Sequence, residues 1–230
     1  MAQIVLDGVT VTAPGDDETT ILGETSLRLT ERRIALIGGN GSGKSTLARL
    51  LNGLTAPATG SVRVDDLDTV RDGAAVRRRV GFVFTDPDSQ LVMPTCAEDV
   101  ALSLRRTRLS KAERRERAVE ILGTYGLAHL ADVSVHSLSG GQKQLLAVAG
   151  VLATDPDVIV ADEPTTLLDL HNTRRIADLL FGLRQQVVLV THDLELATRC
   201  DRALVIAGGV IAFDGDPAEA AASYRESVSR

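Results

Sequence analysis

A glycine-rich stretch between an apolar run and a helix candidate decides the fold. Residues 34–46 read Ile34-Ala35-Leu36-Ile37-Gly38-Gly39-Asn40-Gly41-Ser42-Gly43-Lys44-Ser45-Thr46 and contain G-x-x-x-x-G-K-[ST]. Glycines let the backbone curl so that several N–H groups point at phosphate oxygens, and the following helix adds partial positive charge. The stretch therefore predicts a nucleoside triphosphate site made by Gly38, Asn40, Gly41, Ser42, Gly43, Lys44, Ser45 and Thr46. We expect Lys44 to reach the β- and γ-phosphates and Ser45 to ligate Mg²⁺.

Two carboxylates follow another apolar run, residues 158–161. In open α/β sheets, ligands sit at the carboxyl ends of the strands. We therefore expect Asp162 to bind Mg²⁺ and Glu163 to polarise the attacking water. The alternative for this pair is an ordinary solvated turn.

A histidine follows a third apolar run, residues 187–190. His192 is expected to hydrogen-bond the γ-phosphate, and so joins Glu163 and Lys44 as a catalytic candidate. The alternative is that His192 only caps the next helix.

The apolar runs alternate with helical stretches, which favours an α/β core whose buried strands are parallel. Residues 86–155 differ because capping-box and helical patterns replace the strands, as at Ser110-Lys111-Ala112-Glu113. We predict one domain over residues 1–230, with a catalytic core in 1–85 and 156–230 and an inserted helical subdomain in 86–155. Gly208-Gly209 predicts a hairpin near the end of the chain.

Composition excludes several classes of function. The chain has 230 residues, a formal net charge of −6, no Trp, two Tyr and four Phe, and residues 1–81 contain no aromatic residue. This argues against a nucleic-acid partner, because single-strand binders stack bases on aromatic side chains and phosphate-backbone binders are basic. Two cysteines favour a reducing compartment. Since no apolar run is long enough to span a bilayer, we expect any work at a membrane to proceed through a partner.

The stretch Leu138-Ser139-Gly140-Gly141-Gln142 completes a resemblance. The chain resembles ABC-type ATPase subunits over about residues 3–216. The resemblance rests on the order of four motifs along the chain: the Gly38–Thr46 loop, this stretch, Asp162-Glu163 and His192. The resemblance implies a P-loop (RecA-like) core with an N-terminal antiparallel β-subdomain and an inserted helical subdomain, and it implies ATP and Mg²⁺. It also implies a head-to-tail dimer, with a homodimer favoured, in which Ser139, Gly140, Gly141 and Gln142 act on the partner's ATP. Asp169 falls at the D-loop position near the dimer seam.

The stretch from Val80 to Val100 resembles energy-coupling-factor (ECF) ATPases, and most of all the biotin-transporter type. The similarity to ECF ATPases rests on Asp86-Pro87-Asp88-Ser89-Gln90 and Pro94-Thr95-Cys96-Ala97-Glu98-Asp99-Val100. The similarity to the biotin-transporter type rests on residues 84–95 and on Gln142-Lys143-Gln144-Leu145-Leu146-Ala147. It implies a peripheral subunit at the cytoplasmic face of the cell membrane. Its partners would be a transmembrane coupling protein and a substrate-binding membrane protein. Cobalt and nickel ATPases are the nearest alternatives.

The sequence departs from the family pattern at two positions. Thr85 stands where a glutamine is usual; we expect its hydroxyl to contact Mg²⁺ or its water, and we expect Thr85→Gln to leave hydrolysis largely intact. We assign Gln90 to contact with the coupling protein, and residues 85–90 are called the coupling segment below. Ala13 stands where an adenine-stacking aromatic is common, which predicts weak discrimination of ATP from GTP.

Other ABC ATPases remain alternatives. A soluble member acting on nucleic acid or ribosomes is one, but chromosome-maintenance ATPases need a long coiled coil between the two halves of the site, and no sustained heptads lie between Lys44 and Asp162. Ribosome-acting members usually join two ATPase domains, whereas this chain carries one set of motifs. An exporter or conventional importer differs from the ECF type in residues 86–100.

Overall fold

The computed structural model of the protein describes residues 1–13 and 15–228, with the backbone alone for 16–18. The predicted domain of residues 1–230 also includes residues 14, 229 and 230, which lie outside the described residues. The chain forms two compact units. The first contains Met1–Phe82, Asp157–Glu163 and Phe181–Arg230, and the second contains Val83–Pro156 and Pro164–Leu180. The predicted helical insertion, residues 86–155, falls within the second unit, which also takes up residues 164–180.

The described residues form ten strands and eight α-helices. The strands are β1 (Ile4–Ala13), β2 (Asp16–Leu29), β3 (Arg33–Ile37), β4 (Thr59–Val64), β5 (Leu67–Asp68), β6 (Val80–Val83), β7 (Val158–Asp162), β8 (Gln186–Val190), β9 (Arg202–Ala207) and β10 (Val210–Gly215). The helices are α1 (Lys44–Leu50), α2 (Gly73–Arg79), α3 (Cys96–Ser103), α4 (Lys111–Thr124), α5 (Gly140–Leu152), α6 (Leu170–Gly182), α7 (Leu194–Thr198) and α8 (Pro217–Val228).

A six-stranded sheet positions the nucleotide motifs in the first unit. Its order is β10-β9-β3-β8-β7-β6, and β3 pairs in parallel with both β8 and β9. Every residue of β3, β7 and β8 is buried, as expected for strands that are covered on both faces. The hairpin predicted around Gly208-Gly209 joins β9 to β10. Because β3, β7 and β8 run in parallel, the loops after them leave the same edge of the sheet.

A second, four-stranded sheet lies in the amino-terminal part of the chain. Its order is β2-β1-β4-β5, and β1 pairs antiparallel with both neighbours. Along β1 the apolar side chains of Ile4, Leu6, Val9 and Val11 are buried. The predicted α/β fold with an antiparallel amino-terminal subdomain is confirmed.

The second unit is mainly helical. Helix α3 packs against α4 and α5, and each of the three begins with a capping box. The box predicted at Ser110 and Glu113 is one of them. Helix α5 begins at Gly140, within the stretch Leu138-Ser139-Gly140-Gly141-Gln142. Among residues 1–13 and 15–228, no helix is both long and apolar enough to cross a membrane.

Candidate functional site: a nucleotide half-site and a signature helix

The phosphate loop follows β3 and lines a cavity in the first unit. The cavity measures about 240 Å³. Ile21 supplies an apolar side chain to its wall, and Glu163 approaches from the end of β7. The cavity thus brings together most of the predicted nucleotide ligands: Asn40, Gly41, Ser42, Gly43, Lys44, Ser45 and Thr46.

Gly38 supports this cavity without lining it. Its φ of 154° and its packing leave no room for a side chain, since a Cβ here would lie 2.1 Å from the carbonyl oxygen of Ile206. The hairpin turn braces the loop as well, because the Gly209 N–H donates to the Ser42 carbonyl at 3.0 Å. The loop is therefore held by β9 and the turn that follows it.

Lys44 is buried within the loop. Its ammonium group donates to the carbonyl oxygens of Gly38 and Gly39, each at 2.8 Å. Burial lowers the pKa of Lys44, while the nearby carboxylates of Glu163 and Asp162 act to raise it. At this position the Lys44 ammonium group can replace its two hydrogen bonds to carbonyl oxygens with stronger ones to phosphate oxygens when a nucleotide binds.

Ser45 and Asp162 form the candidate metal pair. The Ser45 hydroxyl donates to Oδ1 of Asp162 at 2.9 Å, and Asp162 is 1% exposed. Burial raises the pKa of Asp162, because an ionised carboxylate is poorly solvated there. The hydroxyl of Ser42 is also buried, and it has no hydrogen-bond partner within the described chain. Hard oxygen donors of this kind fit Mg²⁺, which binds through one or two protein oxygens together with substrate phosphates.

Glu163 and His192 meet at the edge of the sheet. Nδ1 of His192 lies 2.8 Å from Oε2 of Glu163, although 29 residues separate them in sequence. With an ionised carboxylate the imidazole is the donor. Glu163 has a φ of 51°, the left-handed region that residues with a side chain rarely adopt, and its N–H donates to the carbonyl of Val190 at 3.0 Å. Such strained residues cluster at active sites.

His192 does not cap the next helix. That role belongs to Asp193, whose Oδ1 accepts hydrogen bonds from the N–H groups of Glu195 and Leu196 at the start of α7. The imidazole, with 58% of its side chain exposed, contacts the carboxylate of Glu163 instead.

The signature residues start α5 in the second unit. Oγ of Ser139 accepts a hydrogen bond from the N–H of Gln142, and Oε1 of Gln142 accepts one from the N–H of Ser139 at 2.9 Å. The Gln142 side chain is therefore engaged in this capping box. The N–H groups of Gly140 and Gly141 belong to the first turn of the helix, between Ser139 and Gln142 in sequence. Ser139 and Gly140 are exposed, so this end of α5 faces outward.

Asp169 caps α6 beside the signature. Its two carboxylate oxygens accept hydrogen bonds from the N–H and the side-chain amide of Asn172, each at 2.8 Å. These bonds lower the pKa of Asp169, the backbone bond contributing most. The Asn172 amide also lies against Gly141, where a Cβ would approach it to 2.3 Å.

The strand end that precedes the coupling segment is held by two glutamines. Oε1 of Gln90 accepts from the Phe84 N–H, and Nε2 of Gln144 donates to the Phe84 carbonyl, both at 3.2 Å. Thr85 lies next to Phe84 in the second unit, so its contact with a metal in the first unit stays a prediction. Gln144 went unrecognised in the sequence, because its partner lies 60 residues away.

Ala13 does not line the nucleotide cavity, whereas Ile21 of β2 does. Sequence reasoning missed Ile21 as well, since an isolated aliphatic residue in a strand carries no signal for nucleotide binding. Tyr224 of α8 was also missed; its hydroxyl lies 3.9 Å from the position that a Cβ on Gly39 would take.

The sequence model of ABC transporters matches residues 23–166. A Bartonella quintana protein described as an ABC transporter ATP-binding protein is 50% identical to this chain over 209 residues, which is 91% of this chain and 92% of that protein. The biotin transport ATP-binding protein BioM of Rhizobium etli is 45% identical over 201 residues, 87% of this chain and 89% of that protein.

Solved structures agree with these relatives. The structure of cbiO1 from Clostridium perfringens, part of the ABC transporter complex cbiONQ, superimposes with a TM-score of 0.81 at 31% identity, covering 98% of this chain and 92% of that one. The ATP-binding cassette MJ0796, a dimer bound to ADP and Pi, gives a TM-score of 0.82 at 32% identity, with 93% of this chain and 98% of that one covered.

Proposed function

Since this chain belongs to the ABC transporter family of ATP-hydrolysing subunits, we propose that it is the motor of an energy-coupling-factor-type importer whose substrate is biotin. The observation that carries this proposal is its 45% identity, over most of both chains, to a biotin transport ATP-binding protein. The coupling segment, with its Asp86-Pro87-Asp88-Ser89-Gln90 sequence, supports the same type of importer.

The first unit provides one half of each ATP site. The ammonium group of Lys44 leaves the Gly38 and Gly39 carbonyls and neutralises the β- and γ-phosphates, while the loop N–H groups bind their oxygens. Ser45 and Asp162 would hold Mg²⁺ through their side-chain oxygens, and a metal contact of Thr85 stays an expectation from the sequence. When bound, the ion neutralises charge on the phosphates.

Glu163 and His192 carry out the hydrolytic step. The Glu163 carboxylate orients a water molecule for attack on the γ-phosphorus, and the 2.8 Å contact with His192 holds this carboxylate in place. His192 also hydrogen-bonds the γ-phosphate. Catalysis of this type is mainly positioning and electrostatic stabilisation.

The second half of the site comes from another copy of the subunit. This chain carries one phosphate loop and one signature sequence, so two copies in a head-to-tail homodimer complete two sites. Ser139 and the N–H groups of Gly140 and Gly141 then receive the partner's γ-phosphate, Gln142 keeps this helix end closed, and Asp169 lies near the seam. ATP closes the dimer and hydrolysis reopens it.

The coupling segment passes these movements to the membrane. We place the subunit at the cytoplasmic face, where Gln90 and its neighbours contact a transmembrane coupling protein. A separate membrane protein binds the transported substrate. Nucleic acid has no part in this function, as the acidic net charge and scarce aromatic residues suggest.

Uptake measurements test the proposal. Cells that lack this subunit should lose biotin uptake and keep cobalt and nickel uptake, and wild-type protein should restore transport where Glu163→Gln does not. Loss of cobalt or nickel uptake with biotin uptake intact would overturn the substrate assignment. Purification of the tagged subunit with nucleic acid or ribosomes, and without membrane proteins, would overturn the importer itself.

A further inference from the structure

We propose that Lys143 and Gln144 are positioning residues that hold the coupling segment to the signature helix α5, so that nucleotide-driven movement of α5 is passed to the surface facing the membrane partner. The inference rests on the proposed function and adds to it the residues that transmit the movement. All the contacts that carry it lie within the second unit.

Lys143 forms the ionic part of this connection. Its ammonium nitrogen lies 2.7 and 2.9 Å from the two carboxylate oxygens of Asp88, the middle of the coupling segment. The Lys143 side chain is only 16% exposed, whereas that of Asp88 is 58% exposed. The ammonium group of a lysine usually remains in water. Because the Lys143 side chain is largely buried and its ammonium group contacts one carboxylate, the side chain has a defined position.

Gln144 forms the buried part. It is 1% exposed, and its side-chain amide donates to the carbonyl of Phe84, the residue directly after β6. A buried amide is costly unless it is hydrogen-bonded, so this side chain is set to recognise one backbone group. Because Gln90 accepts from the Phe84 N–H, both polar backbone groups of this residue are bound by glutamine side chains.

At its first turn the same helix is also in contact with the start of α6, which follows the D-loop (residues 166–169). Asp169 fixes the Asn172 amide, and this amide occupies the space that a side chain on Gly141 would need. Residues of the three segments also share the wall of one cavity of about 140 Å³, including Asp88, Lys143 and Leu167. The start of α5 is therefore in contact with the coupling segment through Lys143 and with Asn172 through Gly141.

This arrangement explains how a change at the signature reaches the coupling segment. Lys143 lies four residues after Ser139, about 6 Å along the helix. A helix turn of that length moves as a rigid element, so displacement of its first residues carries Lys143 and Gln144 with it. Asp88 and Phe84, bound to these side chains, follow.

Hydrogen–deuterium exchange tests the inference on the full chain, in the Glu163→Gln background so that ATP forms a stable dimer. ATP should change exchange both in residues 139–145 and in residues 84–93. Lys143→Met should reduce the ATP-dependent change in residues 84–93 roughly 2- to 30-fold, which is the range by which single substitutions alter coupling in contact networks. The ATP-dependent change in residues 139–145 should remain intact. In an otherwise wild-type chain, Lys143→Met should keep basal ATP turnover.

Two further variants separate coupling from local stability. Arg115→Met removes another ion pair of the second unit, 2.6 Å long and joined to Asp132, and should leave the ATP-dependent change intact. The exchanged pair Lys143→Asp with Asp88→Lys should restore the change lost in Lys143→Met.

Several results would overturn the inference. One is an ATP-dependent change in exchange of residues 84–93 that is as large in Lys143→Met as in the parent. This includes the case where the substitution raises exchange equally with and without ATP, because the difference between the two states is then unchanged. Another is a change confined to residues 139–145 in the Glu163→Gln parent. If size-exclusion chromatography shows no ATP-dependent dimer of that parent, the proposed function fails first and this inference fails with it.

Discussion

The phosphate loop and the signature sequence are both glycine-rich turns that start a helix, yet they are built in opposite ways. Around Gly38 the loop is packed against its own unit, since a side chain there would meet the Ile206 carbonyl at 2.1 Å, and Lys44 is turned inward. At the signature, Ser139 and Gly140 are exposed and the polar side chains close their own helix end. The first turn is a cavity wall, while the second is an outward surface.

The missing side chain of glycine serves a different purpose in each turn. At Gly38 the missing side chain makes room for backbone of the same unit, so the loop keeps its shape without nucleotide. At Gly140 a Cβ would have only the Leu167 carbonyl near it, at 3.9 Å, which leaves that position open. An open position at a helix start can receive a group from another molecule. Four experiments test these roles, from the largest expected effect to the smallest.

The largest effect is expected at the hydrolytic carboxylate. Glu163→Gln removes the carboxylate that we propose orients the attacking water, and it keeps the cavity. Turnover should therefore fall about 10²- to 10⁴-fold while ATP still binds and closes the dimer. Steady-state phosphate release and size-exclusion chromatography measure the two properties. Near-normal turnover would show that the carboxylate has no hydrolytic role, and His192→Ala tests separately whether the 2.8 Å contact matters.

The next effect concerns the base rather than the phosphates. Without an aromatic side chain before the loop, base affinity should be weaker by roughly 1–3 kcal/mol than with a stack, and ATP and GTP should compete nearly equally. Ala13→Tyr should then favour ATP, whereas Ala13→Leu, which has no π face, should not. Competition binding with the two nucleotides measures this, and a strong adenine preference of the unaltered protein would contradict it.

A smaller effect separates the two signature glycines. Gly141→Ala forces the Asn172 amide out of its rotamer, at about 0.5–1.5 kcal/mol, whereas Gly140→Ala has open space. Alanine is also favoured over glycine in helices, so Gly140→Ala should be neutral or stabilising. Urea denaturation should rank Gly141→Ala as the less stable variant, and equal free energies of unfolding would show that Asn172 yields without cost.

The smallest effect is a pH dependence at Asp162. Burial raises its pKa in the folded state above the unfolded value, so the ionised carboxylate destabilises the nucleotide-free protein near neutral pH. This penalty disappears as the pH falls through the raised pKa. Asp162→Asn should therefore be more stable than wild type at neutral pH without nucleotide or Mg²⁺, and the difference should shrink at lower pH. Thermal melts of both proteins in the presence of a chelator measure this stability difference. A difference that grows as the pH falls would contradict the prediction.

Much of the fold was predictable because its signals are local. The buried strands β3, β7 and β8 are continuous apolar runs, and the capping box at Ser110 and Glu113 spans four consecutive residues. Gly208-Gly209 likewise marked the hairpin between β9 and β10. Such features depend on backbone sterics and on neighbours in sequence, so they can be read from a single chain.

The site was predictable in its components and not in its contacts. The sequence pattern located Lys44 and Ser45 in the loop after one strand, and Asp162, Glu163 and His192 at or just after the ends of two others. It did not show that His192 touches Glu163, that Ser45 donates to Asp162, or that Gln144 holds Phe84. These pairs are 29, 117 and 60 residues apart.

A single reading of the sequence is therefore enough to find the phosphate loop, the strand end that carries Asp162 and Glu163, and the signature stretch, because each needs particular residues at short spacing. The tertiary structure alone decided which side chains meet. The order of the sheet places β3 between β8 and β9, so segments far apart in the chain become neighbours. Within the second unit, packing likewise brings Lys143 to Asp88 and Asn172 to Gly141. The physical reason is that such contacts depend on the path of the whole chain through its core, which no local pattern encodes.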